Sequence, residues 1–82
     1  MKHAGPAALD RLEPLLNELR AIDGLKEKAR GVFYRRGRAF LHFHEDPSGL
    51  YADLRQAGDD FDRFRVQDEA ERAALLALVR QA

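Results

Sequence analysis

The chain has 82 residues, 45% hydrophobic and 34% charged, with 14 Lys+Arg against 14 Asp+Glu and no cysteine. That is a globular composition with room for one domain and one core, spanning residues 1–82. It excludes disulfide staples, thiolate chemistry and cysteine-type zinc sites, and zero net charge removes any global attraction to polyanions. The balance of charge also favours self-association, and the small size would gain from a homodimer.

Residues 1–6 carry a charge but no apolar run, so they are expected to be a frayed end and not a signal peptide. The longest apolar run, Ala73–Val79, is seven residues, too short to span a membrane. These features and the lack of cysteine lead to the expectation of a cytoplasmic protein.

Leu9, Leu12, Leu16 and Leu19 recur at helical spacing, with Leu15 and Ile22 widening the stripe. Pro14 interrupts this pattern, so a helix either begins near Glu13 or bends there. Asp23-Gly24-Leu25 reads as its end, with Gly24 left-handed. Lys26–Arg30 reads as a short charged stretch, at most one more helical turn. Val32–Arg35 then has strand composition, Arg36-Gly37 fits a two-residue hairpin turn, and Arg38–Glu45 is a second strand. Asp46-Pro47-Ser48-Gly49 is a turn signal, Leu50–Arg55 a third strand, and Phe61, Phe64 and Val66 mark a fourth or an extended edge. Asp68 and Glu71 have the spacing of a capping box ahead of the stripe Ala74, Leu75, Leu78, Val79, which predicts a helix over 68–81. The pattern is an α+β two-layer sandwich: N-terminal helix, antiparallel meander of three or four strands, C-terminal helix.

The turns set the register. A two-residue loop at Arg36-Gly37 places Phe33 opposite Phe40 and Val32 opposite Leu41. A Pro47-Ser48 loop places His42 opposite Asp53 and His44 opposite Tyr51, whereas a bulge at Gly49 would shift this second pairing by one. The first register gives an apolar face of Val32, Tyr34, Ala39, Leu41, Phe43, Leu50, Ala52 and Leu54 for the helices. The second face carries Phe33, Arg35, Arg38, Phe40, His42, His44, Tyr51, Asp53 and Arg55.

That second face holds the candidate functional residues. His42 and His44 alternate on one strand, about 6–7 Å apart, with Asp53 across from them. Imidazole and carboxylate donors in this arrangement suit a divalent metal or acid–base work, with Glu45 or Asp46 leaning in from the turn. The bland alternative is an ordinary set of cross-strand pairs. Arginines with Phe33, Phe40 and Tyr51 on an open sheet suit nucleic acid, through stacking and phosphate contacts. The alternative is a solvated hairpin end whose aromatics are covered by the C-terminal segment or a second subunit. Asp59-Asp60-Phe61-Asp62 lacks the spacing of a calcium loop and reads as a solvated loop, with Phe61 and Phe64 as core plugs. No phosphate loop, metalloprotease helix or nucleophile elbow is present.

The run Gly31-Val32-Phe33-Tyr34-Arg35-Arg36-Gly37-Arg38-Ala39-Phe40, followed by His44-Glu45-Asp46 and Gly49-Leu50, resembles the central strands of the YjbR/MmcQ-like family of small bacterial proteins. The resemblance implies a small α+β fold of DNA-binding-like type without an established catalytic site. This chain is shorter between the third strand and the last helix, and no functional residue is carried over. The sequence therefore leads to the expectation of a bacterial, non-catalytic, cofactor-free interaction module that uses the second sheet face for a protein partner or self-association. Nucleic-acid binding through the arginine/aromatic hairpin, and a divalent metal or histidine-based activity at His42, His44 and Asp53, are the alternatives.

Overall fold

The computed structural model describes residues 1–82. In chain order the elements are β1 (Lys2–His3), α1 (Pro6–Arg20), β2 (Leu25–Ala29), β3 (Val32–Arg35), β4 (Arg38–Asp46), β5 (Gly49–Leu54), β6 (Asp62–Arg65) and α2 (Glu69–Gln81). The sheet is antiparallel, with order β2-β3-β4-β5-β6, and β1 pairs with the far end of β4. Both helices bury their apolar stripes against one face of the sheet, as the α+β sandwich predicts.

Helix α1 runs unbroken through Pro14, whose ring is on the exposed side while Leu12, Leu15, Leu16 and Leu19 are buried. Burial of this stripe outweighs the one hydrogen bond that proline cannot make. The helix begins with Pro6 at its first position, where a missing N–H costs nothing. It ends at Arg20, earlier than the glycine signal, although Gly24 does adopt a positive φ of 90°. Helix α2 opens with a complete capping box. Glu71 donates its N–H to Asp68 Oδ1 at 2.8 Å, and Glu71 Oε1 accepts the Asp68 N–H at 3.2 Å.

Two segments differ from expectation. Lys26–Arg30 is not helical: Leu25–Ala29 forms edge strand β2, paired with β3. Its alternation is visible in exposure, with Leu25 and Glu27 half-buried and Lys26 and Lys28 exposed. Glu27 is accommodated because Arg20 binds both its oxygens, at 2.6 and 3.0 Å, and the Gly31 N–H donates to it at 2.9 Å. The first residues are not frayed either. Lys2 and His3 pair with Glu45 and His44, the Ala4 N–H donates to the Phe43 carbonyl at 3.0 Å, and the Gly5 N–H donates to Glu45 Oε2 at 2.6 Å.

The third difference reverses a strand. The Arg36-Gly37 turn has the expected two residues, both at positive φ (54° and 77°), and pairs Arg35 with Arg38. Beyond it, Tyr34 pairs with Ala39 but Phe33 pairs with Leu41, so Phe40 is the extra residue of a β-bulge. Phe33 is thereby opposite Leu41, not Phe40, and turns toward the helices. Both phenylalanines enter the core, 1% and 6% exposed. Burying a phenylalanine is worth about 1.5–3 kcal/mol, so the bulge that brings in two of them is favoured over a regular ladder. Val32 and Tyr34, expected inward, are only half-buried, and the Lys28 amine lies 5.5 Å from the Tyr34 ring centre.

Candidate metal and histidine cluster

The second hairpin keeps the register that its turn predicts. His42 pairs with Asp53, and His44 with Tyr51. The outer strands extend both rows, because His3 pairs with His44, Tyr51 with Arg65, and Asp53 with Arg63. Paired residues share a face, so two rows cross the sheet surface turned away from the helices: His3, His44, Tyr51, Arg65 and, beside it, His42, Asp53, Arg63.

Within these rows three imidazoles converge. The donor nitrogens of His3, His42 and His44 all lie within 4.8 Å of one another. His42 Nδ1 is 3.0 Å from His44 Nε2, which is itself 3.1 Å from Asp53 Oδ2. The His3 ring stacks on His44 at 4.7 Å between centroids and lies 5.8 Å from His42. Arg63 closes the far side, with Nε on Asp53 Oδ1 at 2.8 Å and Nη2 on Oδ2 at 2.9 Å. Phe61 lies over His42, with centroids 4.8 Å apart. It is not a core plug, although Phe64 does pack against the core. His44 and Asp53 are buried under this layer of side chains, at 9% and 7% exposure, without any helix above them.

Burial and charge set the protonation states. Desolvation comes first among the causes that lower the pKa of His42, followed by neighbouring His44. Desolvation also lowers His44, against the opposing pull of Asp53. Both rings are therefore neutral at pH 7. Asp53 is held below its ordinary value chiefly by the Arg63 hydrogen bonds, which outweigh its own burial. An ionised carboxylate beside His44 Nε2 selects the tautomer that carries the proton on that nitrogen. Nδ1 of His44 is then a buried atom without a hydrogen-bond partner of good geometry. The Lys2 backbone lies near enough to favour a proton on this ring. A ligand drawing on the Nε2 lone pair would move the proton to the buried Nδ1.

The other candidates go elsewhere. Phe33 and Phe40 are in the core and are not offered by the open face. Arg35, Arg38 and Arg55 line a separate cavity at the end of the sheet. Tyr51 Oη and Ser48 Oγ hydrogen-bond at 2.7 Å at the edge of the histidine cluster's face. Neither turn carboxylate leans toward the histidines. Glu45 accepts the Gly5 N–H, and Asp46 accepts the N–H and hydroxyl of Ser48. The donor missed in the sequence is His3, whose only signal was an imidazole near the start of a segment too short to show a strand pattern. Arg63 was missed as the partner of Asp53 because β6 had no fixed register.

No protein-family model, no curated protein and no solved structure matches this chain.

Proposed function

We propose that this domain is a binding module for a borderline transition-metal ion, held by His3, His42 and His44. The observation that carries this reading is the convergence of three imidazole nitrogens within 4.8 Å on two adjacent strands. Both strand β4 histidines are lowered in pKa, so neither has to lose an imidazolium proton at neutral pH, although His44 must shift its remaining proton from Nε2 to Nδ1. Nitrogen donors favour zinc, nickel, cobalt or copper over magnesium or calcium. Asp53 is the nearest anionic group, already paired with Arg63, and the exposed side of His3 leaves room for water on the ion.

Zinc titration followed through the histidine ring signals by NMR tests the reading. Saturable shifts at His3, His42 and His44, abolished in His42→Ala and His44→Ala, are expected. Ring signals unmoved by zinc, nickel or cobalt would overturn it.

Use of this face as a protein interface has less support. With Phe33 and Phe40 in the core, the single large exposed apolar side chain is Met1. A sheet face of histidine, arginine and tyrosine lacks the apolar centre of a typical stable interface.

A further inference from the structure

We infer that the β3–β4 hairpin end is a second site, for a small molecule carrying a di- or triphosphate. A cavity of about 480 Å³ opens there, in the size range of ligand sites, and Arg35, Arg36, Arg38 and Arg55 all line it. Asp59 supplies the nearby countercharge. It pairs with Arg38 at 2.7 Å and lies 3.9 Å from Arg55, but is itself almost fully exposed. A solvated surface pair of this kind is weak and exchangeable for a multivalent anion.

The hairpin is built against local preference. Arg35 stands directly opposite Arg38, a like-charge pairing that destabilises a sheet. Arg36 takes φ 54°, and is the sole non-glycine residue at positive φ, at a turn position where Asn, Asp or Gly costs less. Neither Arg35 nor Arg36 makes a salt bridge, a state they share with Arg11, Arg72 and Arg80, but they alone among these five line the cavity. Departures from local rules that leave charges unpaired around a cavity are the pattern of a site, not of a scaffold.

Two of the guanidinium groups are held in place. The Arg35 guanidinium lies 5.4 Å from the centre of buried Phe40. Arg55 stacks on Phe61 at 4.5 Å and donates Nε–H to the Ala39 carbonyl at 3.0 Å, leaving its terminal nitrogens for a ligand. Planar forks with several donors each suit the adjacent oxygens of a pyrophosphate group.

The test follows arginine Nε–Hε signals by NMR at low ionic strength while inorganic pyrophosphate, ATP or a short single-stranded oligonucleotide is added. Pyrophosphate and ATP should shift Arg35, Arg36, Arg38 and Arg55 saturably and leave Arg11 and Arg80 unmoved. Arg36→Gly, which keeps the turn, should weaken binding about tenfold, the equivalent of one charge-assisted hydrogen bond. Arg38→Gln should do likewise. The assignment fails if neither pyrophosphate nor ATP binds saturably, if both variants fold and bind as tightly as the parent, or if the oligonucleotide alone binds.

Discussion

Arg63 grips Asp53 through two hydrogen bonds, at 2.8 and 2.9 Å, so that both oxygens of the carboxylate beside the histidines are already occupied. A cation bound at the imidazoles must either share that carboxylate with a guanidinium or draw it away. Arg63→Ala therefore has two expected effects. The Asp53 pKa rises toward its ordinary value, because the largest lowering cause is gone and burial still raises it. Zinc affinity rises about tenfold, since a full anionic ligand is released and a competing positive charge removed. Carboxyl-carbon NMR and calorimetry measure the two independently, and unchanged or weaker zinc binding would show that Arg63 supports the site instead of restraining it.

Stability should depend on pH in two separate windows. His42 and His44 have folded pKa values lowered from 6.5, so between the folded and unfolded values the unfolded chain binds more protons. Their contribution is fully present above about 6.5 and is lost as pH falls through the lower folded values. Asp53, depressed from 3.8, contributes above that value and loses its contribution as pH falls further. Urea midpoints from pH 8 downward should show both declines. His42→Ala/His44→Ala together should flatten the upper one, and Asp53→Asn the lower.

Phe61→Ala isolates the role of desolvation at His42. The ring over this imidazole helps exclude water, and desolvation heads the causes of its lowered pKa. Removal should raise the His42 pKa toward 6.5 in an NMR titration. An unchanged titration would assign the shift to the neighbouring imidazole.

The backbone offers a gain and two losses. Arg36→Gly should stabilise the fold by about 0.5–1 kcal/mol, as the cost of a left-handed L-residue exceeds the entropy of the glycine. Asp68→Ala removes half of the capping box and should cost about 1 kcal/mol. Gly31→Ala should cost about 1–3 kcal/mol, because a Cβ there would meet Leu9 Cδ2 at 2.7 Å at a φ of 78°. Denaturant unfolding ranks the three, and a destabilised Arg36→Gly would contradict the strain argument.

Much of this architecture was legible in the sequence where local chemistry was decisive. Asp68 and Glu71 fixed the start of α2. Asp46-Pro47-Ser48-Gly49 located the turn but left two registers, and the one that keeps Asp53 off the apolar face is the one that brings His42 to Asp53. The bulge at Phe40 was not legible, because nothing local marks it. Its cause is the volume of two phenylalanines that the helices can cover, a property of the assembled core. Strand β2 was hidden for the opposite reason, since Glu27 reads as a solvent residue until Arg20 and the Gly31 amide are seen to meet it. His3 depends on a pairing with distant His44, which no periodicity in two residues can announce.

That pairing makes the site detachable. Strand β1 is two residues long, anchored through Ala4 and Gly5 to β4, and supplies one of the three imidazoles. Peeling it back would dismantle the cluster and uncover His44, while the helices and the core stayed folded. By the same linkage an ion bridging His3 to His42 and His44 would act as a clasp. Occupancy would then be read at strand β1 itself, as slowed exchange of the Ala4 amide.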